Sequence, residues 1–379
     1  MPEISTVLTR RRAILAGLLG AGATWAFGAG PGANLPDVLD TPSRLSGFAA
    51  KGATAAIAYR GNRLISVGPR GLILVSDDSA VTWQQVASPV SSDLVAVQFS
   101  DDTTAWAVGH DGVALRSGDA GATWQKMLDG RSVLKLLLTF YGDRAKTGDT
   151  VAHGVLQEIE RSMEQSATPG VLPAPFLDVW FADTNEGYLV GAFGLVLKTV
   201  DGGKQWTPWI ERLDNERRYH LYAVTGEGTQ RYIAGEQGLL LKFDADSGRF
   251  IKVETPYNGS YFGVVASQGR LIVYGLRGNV YIRTDGSVDW RQVDTGTDAN
   301  IVAMPSLNHR RMLLVSQSGQ VLNVAMDTLN TTLLITPPAG EVLGAVVTGP
   351  RRLALARTGG IGALELTSLT HDLSRPSGL

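Results

Sequence analysis

At 379 residues the chain exceeds what one ordinary hydrophobic core serves, so it holds either two domains or one large repeat array. Charged residues are 18% of the chain and glycine numbers 45, which excludes disorder and suits many short strands joined by tight turns. The formal net charge of −2 gives no electrostatic ground for nucleic-acid binding, and the absence of cysteine excludes disulfides, thiolate metal sites and a cysteine nucleophile.

The chain opens with Arg10, Arg11 and Arg12 ahead of an apolar, Ala/Gly-rich run from Ala13 to about Gly30. This is the charged-then-apolar order of an export signal, and Arg11-Arg12-Ala13-Ile14-Leu15 resembles the twin-arginine form. Residues 1–30 are therefore expected to be an export signal, cut near Ala26-Phe27-Gly28, or a membrane anchor if left uncut. Either outcome places the rest in the periplasm, by the Sec or twin-arginine route.

From residue 31 onward a repeat governs the sequence. A Gly-x-x-Gly turn, with its first glycine replaced by Ser316 in the sixth unit and by Arg357 in the last, recurs with its second glycine at Gly71, Gly112, Gly194, Gly238, Gly278, Gly319 and Gly360, in steps of 41, 82, 44, 40, 41 and 41 residues. Four strand-like runs fill each period; in the second they are Val95–Phe99, Ala105–Val108, Val113–Arg116 and a run that begins at Trp124. Glycine at both corners is expected to supply positive φ for a tight hairpin. The pattern predicts an all-β fold, a seven-bladed β-propeller of four-stranded antiparallel blades with one inserted helical hairpin. Blades 1 and 2 occupy residues 31–130, the insertion 131–175, and blades 3 to 7 residues 176–379. The last unit runs out after Ile361–Thr367, so part of Asn34–Phe48 is expected to pair there as the closing strand.

Between the third and fourth strands lies a second motif. It reads Ser76/Asp78/Trp83, Ser117/Asp119/Gly121/Trp124 and Thr199/Asp201/Gly203/Trp206, and it decays in later units. An aspartate can accept the turn's own N–H groups, glycine takes the awkward dihedral, and tryptophan seals the hairpin. These are structural duties that need no substrate.

The 82-residue step holds the insertion. Ser132–Leu138 reads as helical, and Val151, Val155, Ile159 and Met163 form one apolar face at i+4 spacing. A long insertion on a repeat scaffold suggests a docking element, with Leu136, Leu137, Phe140 and Tyr141 as its contact residues. Connectivity places it on the Gly-x-x-Gly face.

Chemical motifs are scarce. His110, His153, His220, His309 and His371 stand singly, there is no phosphate-binding loop or nucleophile elbow, and no cofactor or metal is expected. Arg70 and Arg277 share one hairpin position, and Arg116, Lys198 and Lys242 lie four residues beyond the hairpin glycine. Together they suggest either a positive patch for an acidic partner or paired charges at the blade edges.

The boxes Ser117–Trp124 and Thr199–Trp206, each preceded by Val-Gly-x-x-Gly, resemble bacterial neuraminidase (Asp-box) repeats. Turn and box together over residues 50–367 look most like the photosystem II stability/assembly factor family. That resemblance implies a non-catalytic, extracytoplasmic propeller that binds an integral membrane protein or membrane complex, with an RND-type transporter as one partner class. It gives no reason to expect nucleic acid, and a small-molecule ligand is not favoured. Two alternatives stay open: a sialidase-like glycoside hydrolase, for which Glu216, Arg217, Tyr219 and Arg231 offer the residue types, and a periplasmic ligand-binding propeller. The arginine signature expected of a sialidase in the first blade is replaced by Tyr59-Arg60-Gly61-Asn62-Arg63.

Overall fold

A computed structural model describes residues 37–366 except 165, 167 and 336–339. The expected export signal at 1–30 lies outside them. Among the described residues the strands form seven antiparallel sheets, numbered here in chain order. Their first strands are Ala56–Arg60, Leu94–Phe99, Phe176–Phe181, Leu221–Glu227, Tyr261–Ser267, Ile301–Ala303 and Val342–Gly349. Each first strand packs beside the first strand of the next sheet, and the seventh returns to the first, so the sheets stand as blades around a central channel. In sheet 6 the first strand breaks at Pro305, which lacks an N–H for the ladder, and resumes as Ser306–Asn308. Burial on both faces explains the continuous apolar runs: Ile65, Ile73, Leu74, Leu189, Val196 and Leu241 are all fully buried.

The Gly-x-x-Gly turns are single 3-10 turns whose two glycines do different work. The first is extended, Gly68 at φ −169° and Gly109 at φ −176°, so positive φ is not its purpose. A β-carbon on Gly109 would come within 2.0 Å of Asp93 O, where the chain enters the same sheet. The second glycine does have positive φ, +68° at Gly71, and a β-carbon there would meet Val90 O of the outgoing connection at 2.0 Å. The turn is thus gripped between the strand entering its blade and the strand leaving it.

Ring closure departs from the expectation. The described part of Asn34–Phe48 runs along the connection from sheet 1 to sheet 2, with Ser43 N donating to Ser88 O (3.0 Å) and Ser91 N to Val38 O (2.9 Å). Fully buried Leu39 anchors it in a cluster with Ile73, Val90 and Val113, an apolar groove between sheets 1 and 2 that holds no residue of the last blade. Sheet 7 has three strands among the described residues. It meets sheet 1 through Thr54 N to Arg357 O (3.0 Å), Ile361 N to Ala50 O (3.2 Å) and Arg352 Nε to Ser79 O (2.7 Å).

The insertion is two helices, α1 (Gly130–Lys146) and α2 (Thr150–Glu164). Asp129 caps α1 by accepting Arg131 N and Ser132 N. The hairpin starts beside Gly112 on the Gly-x-x-Gly face and lies against sheet 3 and the connection after it. Val133, Leu137, Tyr141, Ala152, Val155 and Ile159 share one core with Phe176, Leu197 and Ile210. On α2 the buried stripe is turned from the expected one, for Val151 is 56% exposed and Ala152 is buried.

Candidate docking surface

The repeated box is turn chemistry in atomic detail. Ser117 Oγ donates to Asp119 Oδ1 (2.8 Å) and accepts from Gly121 N (2.8 Å), while Asp119 also accepts Thr123 N (2.8 Å). Thr199, Asp201, Gly203 and Gln205 repeat this at 2.9 Å throughout, and Ser76, Asp78, Ala80 and Thr82 follow the same plan. The hydrogen bond from the Thr123 side chain, aided by that from its backbone N–H, lowers the Asp119 carboxyl to about 2. The carboxylates are thus occupied by their own turns.

The three box tryptophans do not seal alike. Trp206 and Trp124 are buried, and Trp206 stands edge-on to both Trp106 of sheet 2 (5.8 Å between ring centres) and Phe181 (6.2 Å). Trp83 departs from the expected seal. It is only half-buried, packed with Leu64 and Ala80 of its own blade against Ala354 and Ala356 of sheet 7. Ala354 holds the place that Ile65 and Trp106 hold in sheets 1 and 2, three residues before the first position of the turn. A methyl group there gives the indole little to close against, so this seam stays partly open to water.

The five basic residues do not converge. Arg70 and Arg277 are exposed at turn tips where the third strand begins, both in the left-handed region (φ 57° and 56°). Arg116, Lys198 and Lys242 lie toward the box end of that strand, on the opposite side of the ring. Lys198 is moreover enclosed: its Nζ sits 4.6 Å from the Trp209 ring centre and 5.3 Å from that of Tyr188, and pairs with Glu186 at 3.2 Å. Lys242 lies over Tyr232 (5.8 Å). These cations thus form no single patch: two exposed arginines stand on one face, and Arg116, Lys198 and Lys242 lie toward the other, with Lys198 paired to Glu186.

The docking residues expected on the insertion also turn inward. Leu137 and Tyr141 are buried, and Leu136 and Phe140 pack partly against the same core. Tyr141 Oη donates to Glu211 Oε2 (2.6 Å) and accepts from Ile210 N (3.2 Å), while Arg144 closes over Glu211 from the other side. Burial and the adjacent Glu211 carboxylate raise the Tyr141 phenol well above its ordinary range. An amphipathic stripe reads alike in sequence whether its own protein or a partner covers it. Here the propeller covers it.

What the Gly-x-x-Gly face presents is different. In sheets 2 to 7 the first strand begins with a bulge whose extra residue is Val95, Leu177, Tyr222, Phe262, Val302 or Leu343. All six are half-buried, and they ring the mouth of the channel. Tyr222 and Phe262 meet edge to face at 5.8 Å across two blades. Around this ring stand the left-handed tip residues Arg70, Asp111, Phe193, Gln237 and Arg277, with Phe193 52% exposed and 4.8 Å from the His220 ring. Next-blade side chains hold the tips by their backbone: Arg70 N donates to Asp93 Oδ1 (2.8 Å), Phe193 N to His220 Nδ1 (2.9 Å) and Arg277 N to Asn300 Oδ1 (3.1 Å). The result is an apolar centre with a polar, charged rim, an arrangement shared with protein-interaction surfaces. Its sequence signal was the apolar pair that opens each first strand, such as Leu221-Tyr222 and Tyr261-Phe262.

Within the channel wall, Asp178 accepts Val224 N of the neighbouring sheet (2.9 Å) and its own-strand Val179 N (2.9 Å). Desolvation outweighs these donors and pushes its carboxyl up to about 7. Of the residues offered for a hydrolase, Glu216, Arg217 and Tyr219 share one connection, where Arg217 Nη1 donates to Tyr219 Oη (3.2 Å), but Arg231 is engaged elsewhere. Arg231 pairs with Glu186 (3.0 Å) in the seam between sheets 3 and 4, whereas Arg217 and Tyr219 lie on the connection between those sheets. Among the described residues there is no acidic or histidine cluster suited to a metal, and no helix long and apolar enough to cross a membrane.

Comparisons with known proteins extend this picture. Residues 170–327 match the family described as Photosynthesis system II assembly factor YCF48. A relative, the Photosystem II assembly lipoprotein Ycf48 of Synechococcus sp. (strain CC9902), is 29% identical over 119 residues; the match spans 30% of this chain and 35% of the relative's length. YCF48 from Cyanidioschyzon merolae superposes with a TM-score of 0.61 at 15% identity, over 86% of this chain and 99% of that one. A YCF48 bound to D1 peptide gives 0.60 at 11% identity, over 84% and 94%. The WD40 propeller domain of Doa1 gives 0.57 at 9%, over 86% and 95%. At such identities these structures speak for the propeller fold, and the stretch 170–327 is similar in sequence to the YCF48 family.

Proposed function

We propose that this chain is a non-catalytic propeller scaffold that works outside the cytoplasm and docks a segment of a membrane protein during assembly of that partner. The observation that carries the reading is the match of residues 170–327 to the YCF48 assembly-factor family. A solved YCF48 carries a D1 peptide on the same fold, which supports a peptide-like segment as the docked element. The Gly-x-x-Gly face suits that task, with Tyr222 and Phe262 at its apolar centre and Arg70 and Arg277 on its rim. The export-like N-terminus supports a periplasmic location, and an RND-type transporter is the finer partner class put forward here.

Affinity capture from detergent-solubilised membranes tests this reading, using the wild type, Phe262→Ser, Arg277→Glu and a box-face control, Val200→Ser. The expected result is a membrane protein retained by the wild type and the control and lost with the two face variants. Mass spectrometry of the retained band then separates a transporter from other membrane complexes. Equal capture by all four proteins would rule out the Gly-x-x-Gly face as the docking surface.

A further inference from the structure

The hairpins that join first to second strands ring the box-end mouth of the channel, and their charges divide that ring into two arcs. Counted from the last residue of the first strand to the first of the second, sheets 1, 6 and 7 carry the pairs Arg60/Arg63, Arg310/Arg311 and Arg351/Arg352 and no acid. Sheets 2, 3 and 4 carry Asp101, Asp102, Asp183, Glu186 and Glu227 and no base. The arcs meet at both ends. Arg60 Nε donates to Asp102 Oδ1 (2.7 Å) across the seam between sheets 1 and 2. On the far side Gln268 of sheet 5 bridges them, its N–H donating to Glu227 Oε1 (2.7 Å) and its Nε2 lying 3.0 Å from His309 Nδ1 of sheet 6.

The charges point outward. Arg310, Arg351, Asp183 and Glu227 are all exposed, and the N–H groups of Glu186 and Asn185 fix the Asp183 carboxylate and hold its pKa below the ordinary range. Seven blades put a seam opposite every blade, so a two-fold axis lying across the disc through sheet 5 leaves by the seam between sheets 1 and 2. That axis exchanges sheet 6 with sheet 4, sheet 7 with sheet 3 and sheet 1 with sheet 2. Every arginine pair therefore meets an acidic hairpin of a second copy. Sheet 5, on the axis, carries Arg270, which lines a surface cleft together with Asp289 and Asp327. Its outer turn holds Val288, 84% exposed, which meets its own counterpart, and Val81, 64% exposed, is set opposite the exposed Ala122. The outer box turns carry aspartates in sheets 1 to 6 alike and favour neither arc.

We propose that the box face is the interface between two copies of this chain, stacked face to face about that axis as an isologous dimer. Exposed ion pairs each stabilise little, so the arcs set the register and the salt dependence of the contact more than its strength. The stack leaves both Gly-x-x-Gly faces uncovered, and it stands or falls independently of the docking function proposed above.

Sedimentation equilibrium of the full chain, in a density-matched nonionic detergent, tests this. The wild type is expected to dimerise with a dissociation constant on the order of 10 μM at about 50 mM salt, and about tenfold or more weaker at about 0.5 M. Arg351→Glu and Asp183→Lys each set like charges at both symmetry-related contacts and should weaken self-association about tenfold or more. An equimolar mixture of the two restores opposite charges at both contacts, so the mixture should dimerise where neither variant does alone. If Asp183→Lys fails to fold, Thr184→Lys supplies the charge from the neighbouring exposed position. A wild type that stays monomeric at about 100 μM in low salt overturns the proposal, including where it binds phosphatidylglycerol vesicles instead. Dimers indifferent to salt, or no stronger in the mixture than in each variant alone, overturn it as well.

Discussion

Gly203 lies directly against the indole of Trp106, so that a β-carbon at position 203 would come within 2.3 Å of the ring. The two residues belong to consecutive blades, and the same relationship joins Gly121 to Ile65, at 2.6 Å, one seam earlier. The box glycine thus serves two ends at once. It takes φ +80° in its own turn and clears the space into which the preceding blade packs.

Gly203→Ala is therefore expected to destabilise the protein by roughly 1 to 3 kcal/mol, through overpacking and the left-handed backbone together. Urea unfolding measures it. A change smaller than about 0.5 kcal/mol, the range of an ordinary surface substitution, contradicts the close approach.

Trp206→Ala removes the wedge itself. Burial beside Trp106 and Phe181 makes the expected loss about 3 to 5 kcal/mol, the range for truncating a buried aromatic side chain. Half-buried Trp83, set against Ala354, should lose less on the same truncation. A Trp206 variant as stable as the wild type shows that the seam is held by something else.

The insertion gives a third test. Tyr141→Phe deletes the hydroxyl that donates to Glu211 and accepts from Ile210 N, leaving both without that partner. A cost of roughly 1 to 3 kcal/mol is expected. Proteolysis at the exposed Thr147-Gly148 link between the helices should quicken in parallel. Unchanged stability and cleavage would mean that the hairpin is not clamped to the propeller.

Asp178 sets a pH dependence. Its folded-state value of about 7 lies above the ordinary 3.8, so the folded protein binds this proton more tightly than the unfolded chain does. The contribution to stability is full below the unfolded value and is lost as pH rises through about 7. Denaturant midpoints should therefore fall as pH rises from the acid side through about 7, and Asp178→Asn should flatten that slope. A carboxyl resonance for Asp178 that titrates at the ordinary 3.8 contradicts the assignment.

Much of the architecture was legible because its signals are local. The spacing of Gly71, Gly112 and Gly194, the boxes at Asp119 and Asp201, and the apolar runs between them each report a turn or a strand closed within a few residues. What was not legible depends on packing between distant segments. Leu39 could as well have closed the last blade as filled the groove beside Val90, since an apolar residue does not name its partner. Tyr141 looked like a contact residue for the same reason. Trp83 carries the same local signal as Trp124, but the depth of its seal is set by Ala354, distant in sequence and across the closing seam. Whether Arg70 and Lys198 form one patch or are paired at the blade edges stayed open in the sequence, because spacing along the chain does not tell which end of a strand a residue occupies in the ring. The bulge residues Tyr222 and Phe262 were visible as strand residues, but only the register shift sets them at the channel mouth.

Docking of a membrane protein on the Gly-x-x-Gly face is open to site-specific photocrosslinking in intact membranes. A crosslinking amino acid is placed at Phe193 or Phe262 on that face and at Val200 or Val81 on the exposed box turns. One discrete membrane-protein adduct is expected from the first pair and none from the second. Adducts from Val200 or Val81 with none from Phe193 and Phe262 would contradict docking on this face.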